Sequence, residues 1–180
     1  MVILFLADGF EEAEALVPLD LLRRAGADVK TVSIADEKTV TGSHGIPVVC
    51  DLAGRELITE GLEMIVLPGG MPGTKNLMRS PLVARYLETA AGRGLYIAAI
   101  CAAPSVLGKL GLLRGKRATC FPGFEEELSG AVFTGAPVEW DGRFITAKGM
   151  GVALEFGLTL VEALKGSDEA ARIKAAIQCR

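Results

Sequence analysis

Hydrophobic and polar residues alternate along this chain in blocks that match secondary-structure elements. Apolar runs of strand length are Val2–Ala7, Val29–Ile34, Met64–Leu67 and Leu95–Ile100. Segments with helical periodicity are Glu12–Arg24, Pro81–Gly92, Val152–Leu164 and Asp168–Gln178, the last opened by Ser167 as N-cap. Continuous apolar strands that alternate with helices are typical of a parallel sheet covered on both faces. The pattern predicts one doubly wound α/β domain over residues 1–180, without linkers or repeats.

Weaker patterns predict smaller elements between these blocks. We expect a β excursion from Val40 to Cys50, a strand over Arg117–Cys120 and a short helix over Phe124–Leu128. A hairpin is predicted where Val138–Trp140 and Phe144–Thr146 flank an Asp-Gly turn.

Composition limits the classes of partner. The net charge is -3, which gives no basic footprint for nucleic acid. No apolar run approaches the roughly 20 residues of a membrane helix, and the apolar start lacks a basic leader, so it predicts a first strand and not a signal peptide. The four cysteines form no Cys-x-x-Cys pair, which indicates neither a zinc site nor a disulfide framework and favours a cytoplasmic protein.

Cys101 has the sequence setting of a nucleophile. It ends the apolar run Leu95–Ile100, small residues follow it, and a helix-like stretch begins at Ser105. A buried strand that turns sharply into a helix is the geometry of a nucleophile elbow. The helix amino terminus favours the thiolate, so we expect a lowered thiol pKa. The alternative is a buried structural thiol, a common state of free cysteine.

Glu14 is the candidate acid or base. At about 100° per residue it falls opposite the arc that carries Glu12, Asp20, Arg23 and Arg24, which predicts a carboxyl on the buried face of its helix. Burial raises a carboxyl pKa, so Glu14 is expected to be protonated and to bond a thiolate or to exchange protons. The alternative is a first-turn glutamate favoured by the helix dipole.

Backbone amides near the predicted elbow are candidate oxyanion donors. Gly69 and Gly70 follow the strand Met64–Leu67, where missing side chains permit close approach, and Ala102 directly follows the nucleophile. The alternative for the glycine pair is a simple turn. His44, the only histidine, lies in the β excursion and is a catalytic candidate only if the fold brings it to Cys101.

Three motifs in this order resemble the ThiJ/PfpI superfamily, and most closely the branch of the parkinsonism-associated protein deglycase and bacterial ThiJ-like proteins. The motifs are Asp8–Glu14 with Pro18–Asp20, Val66–Gly70, and Ala98–Pro104, and the likeness runs nearly end to end. The resemblance implies a flavodoxin-like α/β sandwich, usually a homodimer, with an easily oxidised cysteine in the elbow. By motif, that cysteine is Cys101, its protonated partner is Glu14, and the amides are those of Gly70 and Ala102.

The resemblance also implies activity without metal or organic cofactor. Expected substrates are small α-oxoaldehydes (glyoxalase action) or early glycation adducts (deglycase action), in protection against carbonyl and oxidative stress. A second hypothesis is a redox sensor or chaperone-like protein that works through oxidation of Cys101 to sulfinate. A third is a cysteine hydrolase or peptidase, but Ala102 stands where protease-like branches have a histidine. Phe121 likewise stands before Pro122 where a related branch has a histidine, so Glu14 would handle protons alone or with water.

Overall fold

A computed structural model describes residues 1–57 and 59–179. Its strands are β1 Val2–Leu6, β2 Val29–Ser33, β3 Thr39–Thr41, β4 Pro47–Val49, β5 Leu52–Ala53, β6 Met64–Leu67, β7 Tyr96–Ile100, β8 Arg117–Ala118, β9 Val132–Phe133, β10 Val138–Asp141 and β11 Phe144–Ala147. Seven of these form the central sheet in the order β10-β11-β7-β6-β1-β2-β5, and β10 is its one antiparallel strand among the described residues. The pairs β3-β4 and β8-β9 lie outside this sheet.

Helices cover both faces of the sheet. They are α1 Glu12–Arg24, α2 Gly73–Arg79, α3 Pro81–Gly92, α4 Pro104–Lys109, α5 Ala153–Lys165 and α6 Ser167–Ala176. The core under α1, α5 and α6 takes alternate strand residues such as Leu4 and Val66, and the core under α2, α3 and α4 takes their neighbours Phe5 and Ile65. The mostly parallel, two-sided α/β sandwich predicted from the apolar blocks is therefore confirmed. Of the helices in the described residues, none is long and apolar enough to cross a bilayer.

Most element bounds agree with the sequence pattern, and the differences have local causes. The predicted and observed bounds of α1, β6 and α3 are the same, and the β excursion is the β3-β4 hairpin. Ser167 is the first residue of α6 and not its N-cap, because Gly166 with a φ of 89° takes the cap position. The short helix at Phe124–Leu128 is a single 3-10 turn over Glu125–Glu127. The helix α2 was not predicted, since Pro72 and Gly73 interrupt any periodic pattern there.

The close crossing of α1 and α5 depends on Gly157. A Cβ at this position would lie 2.6 Å from Leu21 Cδ1 and 3.0 Å from Pro18 Cα, so the two helices approach across a missing side chain. This contact sets how closely α1, which carries Glu14, packs against α5.

We predict that Gly157→Val destabilises the protein by about 1–3 kcal/mol, because the added methyl groups overpack the crossing. Gly92→Val is the matched control, since Gly92 also lies in a helix but has open space around it, and it should change stability by less than about 1 kcal/mol. Urea unfolding of both variants measures the difference. Equal stabilities would show that α1 and α5 do not depend on close approach at this glycine.

Candidate active site

Three neighbouring strands bring the chemically active segments to one edge of the sheet. In the order β7-β6-β1 the strands are parallel, with Val66 opposite Ala98 on one side and Leu4 on the other. Their carboxyl ends therefore lie at the same edge, which is where α/β sheets bind ligands. The residues after β1, the glycine turn after β6 and Cys101 after β7 meet there, as the sequence pattern predicted.

Cys101 adopts the strained backbone of a nucleophile elbow. Its φ is 65°, and among the described non-glycine residues only Gln178 shares a positive value. The left-handed conformation costs roughly 1–2 kcal/mol and persists only where neighbours enforce it. Here the Cys101 N–H donates to the carbonyl of Ala147 at 2.9 Å, and the Phe121 N–H donates to the Cys101 carbonyl at 2.8 Å. The side chain is half-buried at the end of the strand.

Glu14 presents a buried carboxyl to this thiol. Its side chain is 1% exposed, and its Oε2 accepts a hydrogen bond from the Gly69 N–H at 2.9 Å. Burial raises the pKa of Glu14 to about 7, opposed by hydrogen bonding with the Cys101 thiol and the Gly69 amide, while the charge of Glu11 adds to the rise. The predicted position of Glu14 on the inner face of α1 is correct, and its carboxyl titrates in the range where it can exchange protons at neutral pH.

The pKa of Cys101 moves in the opposite direction from the sequence expectation. Burial, and then the charge and hydrogen bonding of Glu14, raise the pKa of the thiol to about 12, while the amides of Ala102 and Gly70 act to lower it. The helix α4 has only six residues and does not outweigh these effects. The repulsion applies while Glu14 is ionised, so the Glu14–Cys101 pair carries one negative charge and one proton above about pH 7, whereas both groups are protonated below it.

Each of the three predicted amide residues lies in the site, with different tasks. The amides of Gly70 and Ala102 face the Cys101 sulfur, in the place expected for oxyanion donors. The Gly69 amide is instead bonded to Glu14. A Cβ on Gly69 would lie 2.6 Å from both Glu14 Oε2 and Cys101 Cβ, so only glycine lets the acid and the thiol meet.

His44 lies beside Glu12 at the start of α1. Its Nδ1 is 2.9 Å from Glu12 Oε2, and its backbone N–H donates to Glu12 Oε1 at 2.8 Å. Burial acts to raise the pKa of Glu12, but these bonds and those from backbone amides lower it to about 2, and the same contact raises the pKa of His44. The contacts that the structure gives His44 join it to Ser43, Glu11 and Glu12, and none joins it to Cys101.

The burial of Glu12 differs from what the helical pattern of the sequence predicted. The helical arc grouped it with exposed residues, yet its side chain is only 6% exposed because the β3-β4 hairpin covers it. The ligand atoms of Glu11, Glu12 and His44 lie within 4.8 Å of one another, which is the spacing of a metal site that the sequence did not suggest. In this structure hydrogen bonds already join the three side chains through Ser43 and the histidine ring.

Comparisons with protein families, curated proteins and solved structures show what this chain is similar to. The model of the DJ-1/PfpI family matches residues 1–163. The chain belongs to the DJ-1/PfpI family. The resemblance drawn from the three motifs is thus confirmed. Among curated relatives, DJ-1 homolog B of Arabidopsis thaliana is 38% identical over 99% of this chain, but the chain spans only 41% of that protein.

A second relative and a solved structure cover most of both chains. A Caenorhabditis elegans protein named glutathione-independent glyoxalase DJR-1.2 is 34% identical over 88% of this chain and 85% of its own. The structure of oxidised DJ-1 from Toxoplasma gondii has a TM-score of 0.94 and 35% identity, and the match covers 98% of this chain and 97% of that one. The flavodoxin-like α/β fold of DJ-1 proteins is therefore the fold of this chain.

The buried acid predicts a pH-dependent stability. Because the pKa of Glu14 rises from 4.5 to about 7 on folding, the folded state binds more protons in that window, and stability falls as pH rises through it. The full loss is about 3 kcal/mol and levels off above pH 7. Glu14→Gln removes the ionisation, so the stability of the variant relative to that of the wild type should rise by about this amount from pH 4.5 to 8 in urea unfolding.

Glu88→Gln serves as the control, because Glu88 is exposed on α3. Its stability curve should run parallel to that of the wild type. A Glu14→Gln curve that also runs parallel would contradict a carboxyl whose pKa is raised by burial.

Proposed function

We propose that this DJ-1/PfpI protein is a cofactor-independent cysteine enzyme that converts small α-oxoaldehydes to α-hydroxy acids. The observation that carries the proposal is the Glu14 carboxyl facing the Cys101 thiol, with the amides of Gly70 and Ala102 directed at the same sulfur. The relative named glutathione-independent glyoxalase supports this reaction class. Early glycation adducts are the alternative substrate class, since they derive from the same aldehydes.

The first step joins the sulfur to the aldehyde carbon. The Cys101 sulfur attacks, the C–S bond forms, and the thiol proton passes to Glu14. The developing oxyanion then lies near the amides of Gly70 and Ala102, which stabilise its charge. Glu14 returns the proton to this oxygen, and the product is a hemithioacetal with Glu14 ionised again.

The second step moves hydrogen between adjacent carbons. Ionised Glu14 removes the proton from the former aldehyde carbon to give an enediolate and delivers it to the neighbouring carbon, while the hydroxyl proton of the hemithioacetal passes to the neighbouring oxygen. The first carbon is oxidised to a thioester as the second is reduced to an alcohol, so no external oxidant or reductant is needed. Water then cleaves the thioester, which restores the thiol and releases the α-hydroxy acid.

This reaction needs one acid–base group beside the sulfur, which Glu14 supplies without an imidazole. The cysteine-hydrolase hypothesis needs a histidine at Cys101, whereas the contacts of His44 are with Glu12 and its neighbours. The homodimer that the family resemblance implies and the cytoplasmic location that the cysteine pattern favours remain predictions.

Replacement of either member of the pair should abolish turnover. We expect Cys101→Ala to remove lactate formation from methylglyoxal in metal-free buffer, and Glu14→Gln to lower kcat by about 100- to 10,000-fold. Wild-type kcat/KM should fall below about pH 7, because protonated Glu14 cannot accept the thiol proton. Lactate must be measured directly, since thiols and amines also trap methylglyoxal reversibly.

Cys179→Ala is the control, because this thiol is also partly exposed but lies beyond α6, on a different part of the chain. It should form lactate at the wild-type rate. Equal rates in wild type and Cys101→Ala would refute the proposed reaction.

A second candidate function is redox sensing through the same sulfur. The solved structure of the Toxoplasma gondii relative is of an oxidised protein. In this chain the amides of Gly70 and Ala102 and a protonated Glu14 would stabilise the negative charge of a sulfinate.

Mild peroxide should therefore add two oxygen atoms to Cys101 selectively. Peptide mass spectrometry should find Cys50 and Cys120 unmodified, because both are buried. Glu14→Ala should shift the product toward further oxidation, since the sulfinate loses its hydrogen-bond partner. Oxidation spread over all four cysteines would count against a sensor at Cys101.

A further inference from the structure

An apolar cavity adjoins the reacting pair and has no task in the reaction described above. It has a volume of about 370 Å³ and is lined chiefly by Phe121, Pro122, Gly149, Met150 and Val152. Phe121 is 47% exposed and Met150 is 57% exposed, so two large apolar side chains face solvent within one small region. Exposed apolar side chains that are grouped in a concave surface mark a binding site more often than isolated ones do.

Backbone contacts connect this cavity to both members of the pair. The Phe121 N–H donates to the Cys101 carbonyl at 2.8 Å. The Met150 amide bonds to the Glu14 carboxyl. Between them, a Cβ built on Gly149 would lie 3.2 Å from the Phe121 ring and 3.9 Å from Glu14 Oε1. Gly149 therefore lies between the Phe121 ring and the Glu14 carboxyl, and a group as long as a phenyl ring that starts beside Glu14 is long enough to reach the Phe121 ring.

The chemistry of the lining defines the substituent. Among the described residues that line the cavity, only Lys148 is charged, and the structure gives its side chain no ion pair. None of the described lining residues carries a carboxylate to pair with a cationic group, although Glu14 Oε1 lies close to Gly149. The flat, exposed ring of Phe121 suits stacking or edge contact with another aromatic ring.

We infer that this protein prefers α-oxoaldehydes that carry a bulky apolar substituent, aromatic ones above all, over glyoxal and methylglyoxal. Phe121 and Met150 are its specificity-determining residues. The inference rests on the proposed function, because Cys101 must bind the aldehyde carbon for the substituent to enter the cavity. Glyoxal has no substituent, and the methyl group of methylglyoxal leaves the ring of Phe121 exposed.

The test compares kcat/KM for phenylglyoxal, methylglyoxal and glyoxal, with mandelate, lactate and glycolate measured as products. Product detection is needed because arylglyoxals also modify arginine. We expect phenylglyoxal to exceed methylglyoxal by about 10- to 100-fold. Phe121→Ala and Met150→Ala should each lower this ratio several-fold. Thermal unfolding of each variant confirms that it is folded.

Phe133→Ala is the matched control, because Phe133 is another phenylalanine with similar exposure, 43%, on β9 outside this cavity. It should leave the substrate ratio unchanged.

The outcomes separate the two proposals. Turnover of all three aldehydes with the same ratio in wild type and Phe121→Ala overturns the specificity inference and leaves the reaction intact. No product from any aldehyde overturns the proposed function itself. If Phe121→Ala alters the oligomeric state in sedimentation and not the ratio, a second copy of the chain covers the cavity and the inference is wrong.

Discussion

A carboxyl group excluded from water and held against a thiol is the interaction on which this site depends. Burial raises the pKa of both groups and the charge of Glu14 raises that of Cys101 further, so above about pH 7 the two hold one negative charge and one proton between them. The arrangement requires Gly69, because a side chain there would occupy the space between acid and sulfur. The order β7-β6-β1 then fixes the relative positions, since β7 ends at Cys101, β6 ends just before Gly69, and β1 leads into α1, which carries Glu14.

Two glutamates in the first turn of α1 show how surroundings set the role of a residue. Glu12 and Glu14 are both buried, yet the pKa of one is about 2 and that of the other about 7. His44 and backbone amides stabilise the charge on Glu12, whereas Glu14 has fewer donors and an apolar environment. Glu12 is therefore a fixed anion, and Glu14 is free to exchange a proton near neutrality.

The features that could be predicted are those in which a local sequence pattern determines the secondary structure or the buried face of an element. The apolar run of β6 and the inward position of Glu14 follow from periodicity, and the elbow at Cys101 follows from a strand that meets small residues. The burial of Glu12 could not be predicted, because it comes from a hairpin about thirty residues later in the chain. The raised pKa of Cys101 depends on the nearby carboxyl, and the apolar cavity joins segments 121–122 and 148–152. Such properties arise only when distant segments pack together.

The backbone of the nucleophile is tied to the wall of the apolar cavity. The amide of Phe121 holds the carbonyl of Cys101, and β11 holds its N–H through Ala147. A ligand group that pushes Phe121 outward therefore also pulls on the left-handed peptide beneath the sulfur. In the proposed reaction, poor fit would misalign the sulfur as well as weaken binding of the ligand, so it would lower the maximal rate as well as raise the Michaelis constant.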